Sequence, residues 1–123
     1  MNWFVVAFGG ALGSVARYAV SSAARVWWPG FPWGTLIVNI VGGLVMGTVA
    51  ALAMARPGFP EPLRLGLTTG VLGGFTTFSA FSLDTMLLWR DASAGVALWN
   101  VIANVGLSLG ACALGLWLGR QFA

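Results

Sequence analysis

Four long apolar stretches, about 3–24, 33–55, 65–89 and 95–119, account for most of the chain. A helix crossing ~30 Å of hydrocarbon needs roughly 20 mostly apolar residues, and each stretch meets that length. The gaps carry turn chemistry: Trp28-Pro29-Gly30-Phe31-Pro32, Arg56-Pro57-Gly58-Phe59-Pro60-Glu61-Pro62 and Arg90-Asp91-Ala92-Ser93. Pro and Gly stop helices there by removing backbone donors and freeing φ. Trp27, Trp28, Trp33, Trp89, Trp99 and Trp117 fall toward span ends, where indole rings anchor at a membrane interface. The pattern predicts an all-α membrane protein forming a single four-span domain over 1–123. The first stretch lacks a basic leader and outruns a typical signal-peptide core, so it reads as a span rather than a cleaved signal.

Composition removes the soluble alternatives. Of 123 residues 59% are apolar and 7% charged, where soluble domains carry about a quarter charged. With no His, no Lys and one Cys, the chain cannot build a Ser-His-Asp triad, a His/Cys zinc site or an internal disulfide. No base or metal set lies within the spans, so an enzyme is disfavoured. Six scattered arginines give the net charge of +3 without forming a basic run, which argues against nucleic acid as a partner.

Those arginines also set topology. With four spans, one face carries Arg56, Arg64 and Arg120, and the other carries Arg25 and Arg90, joined by Arg17 if it is included. Cytoplasmic loops normally hold the excess of positive charge, and here no excess exists. Two readings fit: a weakly biased chain with one orientation, or insertion both ways with an antiparallel dimer as product. Glycines at four-residue spacing (Gly9 with Gly13, Gly43 with Gly47, Gly66 with Gly70, Gly70 with Gly74, Gly106 with Gly110, Gly115 with Gly119) predict closely packed helices.

Polar residues inside spans carry the candidate chemistry. Arg17 either snorkels to the interface or faces an aqueous vestibule that attracts anions. Asn39 either bonds a neighbouring helix or donates an amide N–H to a permeating anion. Asn100, Asn104 and Ser108 recur every four residues, forming one stripe on the fourth span with roughly 6 Å between steps. Interhelical bonding and a pore lining both explain that stripe. In the third span, Gly73-Gly74-Phe75-Thr76-Thr77-Phe78-Ser79-Ala80-Phe81-Ser82 predicts a helix broken mid-membrane, because Gly and Thr weaken a helix and Ser/Thr cap a restarted one. Such breaks survive only beside protein or water and often form ion sites. Exposed carbonyls would suit a small hard cation. Phe78 and Phe81 share a face beyond the break, as core or as something more. Asp91 reads as loop, and Asp84 as reaching the interface with an Arg partner open.

At this point the residues resemble the Fluc (CrcB) fluoride ion channels, small four-span microbial proteins, over the whole length. The resemblance rests on Gly9-Gly10-Ala11-Leu12-Gly13-Ser14-Val15-Ala16-Arg17-Tyr18, on Thr35-Leu36-Ile37-Val38-Asn39-Ile40-Val41-Gly42, and on the Gly73 to Ser82 run. It implies an antiparallel, dual-topology homodimer in the inner (plasma) membrane, with two fluoride pores and a structural Na⁺ at the dimer centre. Gly73 and Thr76 would give that Na⁺ their backbone carbonyls. Phe78 and Phe81 would line the pore with electropositive ring edges, Asn39 would be a pore donor, and Thr77 and Ser79 neighbouring polar groups. Arg17 would belong to the vestibule, and Asn104 and Ser108 to a polar track. Many members carry Tyr and Ser where this chain has Asn100 and Asn104. The implied function is passive fluoride export that confers fluoride resistance, through a pore replacing the ion's water with donors and quadrupole edges. The rival is a small multidrug-resistance-type dual-topology cation/proton antiporter. That chemistry needs a membrane-embedded carboxylate; the only Glu, Glu61, sits in a Pro-rich loop, and the first span has no acid.

Overall fold

A computed structural model describes residues 1–123. The chain is entirely helical: α1 (Asn2–Trp27), α2 (Trp33–Ala55), α3 (Glu61–Leu65), a π-helical stretch (Gly66–Leu72), α4 (Gly73–Phe75), α5 (Ser79–Asp91) and α6 (Ala94–Gln121). Four helical runs, with 61–91 counted as one, are long and apolar enough to cross a membrane. This is a multi-pass membrane protein.

The third run begins at Glu61, earlier than hydropathy alone predicts, because Pro62 sits in the first helical turn. Proline's missing N–H has no intrahelical acceptor there in any case. At the other end Asp91 is the last residue of α5 rather than loop, and its carboxylate pairs with Arg90 at 2.7 Å on the exposed surface. Ser93 caps α6 by accepting the Val96 N–H at 3.2 Å, which supplies one of the donors a helix start leaves without a partner.

Close backbone approach organises the packing. A Cβ on Gly13 of α1 would strike the Val71 carbonyl and the Phe75 nitrogen, so any other residue would push α1 off the third run. Gly9 meets Gly66 and Gly70 in the same seam. The most extensive pairing joins α2 and α6, where Gly43 and Gly47 face Ser108 and Cys112, and Gly115 faces Leu44 and Thr48. Between helices in lipid, such contacts replace the hydrophobic driving force available in water. Gly106 and Gly110 meet nothing within the chain, so that pair plays no part in this packing.

The buried core is thin. Val38 and Asn100 are its largest fully enclosed side chains, while Trp3, Phe4, Phe8, Phe78, Trp99 and Leu109 stand exposed. An outer surface of this kind suits hydrocarbon or another protein rather than water.

Candidate functional site

Between α4 and α5 the backbone leaves helical geometry. Gly73 is still helical (φ −62°, ψ −37°), whereas Thr76 is extended (φ −85°, ψ 160°). Both glycines of the run thus stay in or beside helix, and the departure falls on Thr76, Thr77 and Phe78. Thr76 closes the preceding turn, its N–H and Oγ1 both donating to the Leu72 carbonyl at 3.0 and 2.9 Å.

Asn39 supports the next residue. The Thr77 N–H donates to Asn39 Oδ1 at 2.9 Å, and Asn39 Nδ2 donates to the Thr77 carbonyl at 3.1 Å. One side-chain amide therefore satisfies both polar groups of an extended peptide unit, whose burial without partners would cost several kcal/mol in hydrocarbon. Thr77 in turn caps α5, its Oγ1 accepting the Ala80 N–H at 3.1 Å. Ser79 Oγ lies 3.4 Å from the same oxygen.

These bonds single out two carbonyls. In a continuous α-helix the Thr77 N–H would bond the Gly73 carbonyl, and the Ala80 N–H the Thr76 carbonyl. Asn39 and Thr77 divert both donors. Gly73 and Thr76 are left with outward lone pairs, a hard oxygen donor set that fits Na⁺ chemically. No cluster of His, Cys, Asp or Glu offers a metal site elsewhere.

A cavity of about 570 Å³ opens beside this turn, lined by Asn39, Gly73, Thr76, Thr77, Phe78, Phe81, Asn104 and Ser108, with Met46 and Val105 among its apolar residues. Eight of the residues singled out from sequence thus share one wall. The Phe78 and Phe81 rings lie 5.4 Å apart and tilted by 56°. Phe81 is 8% exposed and Phe78 77%, so one ring is seated in the chain and the other stands at its edge. Ser108 Oγ is buried and has no hydrogen-bond partner. Its neighbours on the stripe differ sharply. Asn104 Nδ2 donates to the Asn100 carbonyl and to Asn100 Oδ1, at 2.9 and 3.0 Å, and Asn104 Oδ1 accepts from Asn39 at 3.0 Å. Asn39 likewise spends both amide hydrogens inside the protein. Of the expected donors, Ser108 is the one whose proton is uncommitted.

Ser79 and Arg17 lie outside that cavity. Arg17 lines a second one of about 430 Å³ with Ser14, Ser21, Arg25, Thr35 and Asp84, and its Nε donates to the Gly74 carbonyl at 3.1 Å. Asp84 accepts from Thr35 Oγ1 at 2.8 Å and has no Arg partner, the one ion pair being Arg90–Asp91. Thr35 and Thr85 were not singled out individually from sequence. Thr35 lies one turn before Asn39 on α2, a spacing that would have placed both on one face.

Comparison with known proteins agrees with this arrangement. The family model described as CrcB-like protein, Camphor Resistance (CrcB), matches residues 4–116. The fluoride-specific ion channel FluC of Paracoccus denitrificans is 56% identical over 115 residues, covering 94% of this chain and 91% of that one. Its namesakes from Rhizobium etli and Agrobacterium fabrum are 50% and 46% identical, each over 98% of this chain and 97% and 98% of theirs. With a match that spans nearly the whole sequence and includes all four helical runs, the chain belongs to the CrcB family.

Proposed function

We propose that this protein is a fluoride-selective channel, not an enzyme, through which fluoride leaves the cytoplasm down its electrochemical gradient and which so confers fluoride resistance. Its relatives carry that activity in their names. The observation that carries the reading is the unpartnered Ser108 hydroxyl on the wall that also holds the Phe78 and Phe81 rings. Fluoride gives up tightly held water only for a strong donor and positive field. A free O–H supplies the first, and phenyl ring edges supply the second. The rings also narrow the passage against larger anions. The cation/proton antiporter is not favoured, because Asp84 is held by Thr35 beside Arg17 and Arg25 rather than in the aromatic cavity.

The finer assignments belong to the same proposal. The interruption at residues 76–78 lies at mid-membrane depth, where a second, antiparallel copy covers the exposed Phe78 and completes two pores. Dual insertion in the inner (plasma) membrane follows from the balanced arginines. Gly73 and Thr76 carbonyls from both copies hold a structural Na⁺, which would neutralise four converging oxygen dipoles at the centre. Phe78, Phe81 and Ser108 contact the ion, with Thr77 and Ser79 as adjoining polar groups, Asn39 and Asn104 as the braced wall, and Arg17 in the vestibule. Liposomes containing the purified protein should release fluoride and retain chloride, as read by ion-selective electrodes. Equal release of both, or of neither, would refute the channel. A loop cysteine should be labelled from both sides of the cell membrane; labelling from one side only would remove dual topology.

A further inference from the structure

The polar stripe of α6 does not end at the cavity. Asn100 is 0% exposed and Asn104 4% exposed, and Asn100 Nδ2 donates to Thr85 Oγ1 at 3.0 Å. Thr85 Oγ1 donates onward to the Phe81 carbonyl at 2.8 Å. A continuous path therefore runs from the Thr77 peptide through Asn39, Asn104, Asn100 and Thr85 to the backbone of Phe81. It leaves the third run before α5, crosses α2 and α6, and returns to the same run one turn beyond the interruption.

Backbone groups fix the direction of every bond. The Thr77 N–H can only donate, so it faces Asn39 Oδ1, and Asn39 Nδ2 must face the Thr77 carbonyl and Asn104 Oδ1. Asn104 Nδ2 then meets the Asn100 carbonyl, which can only accept. Thr85 spends its proton on the Phe81 carbonyl and so must accept from Asn100. No amide can flip without opposing two donors or two acceptors. In a low-dielectric interior such a chain strengthens cooperatively, and a missing link leaves a costly unpaired group.

We infer that Asn104, Asn100 and Thr85 form a positioning relay that fixes Phe81, and with it the aromatic wall, relative to the Thr77 turn. The inference rests on the channel reading above. It assigns Asn100 and Thr85, which do not line the cavity, a part in conduction. It also makes Asn104 a strut whose amide hydrogens are not offered to the ion.

Fluoride efflux from liposomes, normalised to folded protein, tests this with Thr85→Val, Asn100→Leu, their double variant and Thr85→Ser. Each disruptive single change should lower efflux about tenfold, and the double should fall no more than about twofold further, since both cut one path. Thr85→Ser retains the hydroxyl and should stay within about twofold of wild type. A second readout is independent of flux: in Thr85→Val the Thr77 amide proton should shift upfield in the NMR spectrum, although the two residues share no bond. Losses that multiply in the double variant, or wild-type efflux in Thr85→Val, would overturn the relay. Should Asn100→Leu fail to fold, the Thr85 pair decides alone. If the wild-type protein passes no fluoride, the channel reading falls, and the Thr77 shift still decides whether the relay exists: a shift upholds it, no shift overturns it.

Discussion

The two cavities beside the Thr76–Phe78 turn are built from opposite materials. In the one between α2, α5 and α6 the amides are saturated by one another, two phenyl rings form a wall, and a single hydroxyl is free. The other collects charge: Arg17 and Arg25 stand there with Asp84, and neither arginine has an ion-pair partner. A vestibule gathers anions through long-range field, so its effect fades with salt. A constriction selects by short-range donors and ring edges, which salt hardly screens. The same turn serves both, because Arg17 holds the Gly74 carbonyl while Asn39 holds Thr77. Collection and selection are thus divided between two sites that share one piece of backbone.

The largest effect should come from erasing what the two cavities share. Gly42→Val drives a side chain into Thr76, against which even a Cβ has no room. Overpacking of this kind costs about 1–3 kcal/mol or more, and the folded yield by size-exclusion chromatography should collapse. Gly73→Ala is the contrast within the chain, since its Cβ would meet only the Thr68 carbonyl at an ordinary 3.6 Å.

Next come the changes confined to the aromatic cavity. Phe81→Leu keeps most of the volume and none of the quadrupole, so thermal stability should drop by only about 1 kcal/mol. Fluoride efflux should fall at least about tenfold, the equivalent of losing roughly 1.4 kcal/mol in the permeation barrier. Wild-type efflux in both Phe78→Leu and Phe81→Leu would make the rings mere packing and dissolve the contrast between the cavities. Ser108→Ala removes a hydroxyl that makes no bond in the protein. Stability should therefore hold or rise slightly, while efflux drops several-fold; unchanged efflux would show that the free hydroxyl does not meet the ion.

Smallest are the effects in the charged cavity. Arg25→Gln should slow efflux by about two- to threefold at low ionic strength and by less as salt rises, because screening shortens the Debye length from ~30 Å at 0.01 M to ~8 Å at 0.15 M. A salt-independent loss would assign Arg25 a structural part instead. Arg17→Lys keeps the charge but not the Nε–H that holds Gly74. Its loss of efflux should persist at high salt, which separates the two arginines by mechanism.

Hydropathy alone located four spans, and 33–55 coincides with α2, because burial in hydrocarbon demands a fixed length of apolar chain whatever the packing. The glycine pairs foretold close crossings for the same reason. Their partners are another matter, since Gly9 meets residues more than fifty positions away whereas Gly106 and Gly110 meet none. The sequence also marked Asn39, Asn104 and Ser108 as polar residues inside spans, yet left open whether each binds protein or ion. That choice depends on what stands opposite. Asn39 faces a peptide unit thirty-eight residues away, and Asn104 faces two other amides, while Ser108 faces the cavity. Glycine's low helix propensity points to Gly73 and Gly74 as the weak place in the third run. The backbone departs at Thr76 instead, because propensity is worth about 1 kcal/mol per residue, less than a side-chain amide contributes by satisfying both polar groups of Thr77 in a medium without water. Local preference fixed that the third run was weak; the position of Asn39 on α2, known only once the helices are packed, decided where it yields.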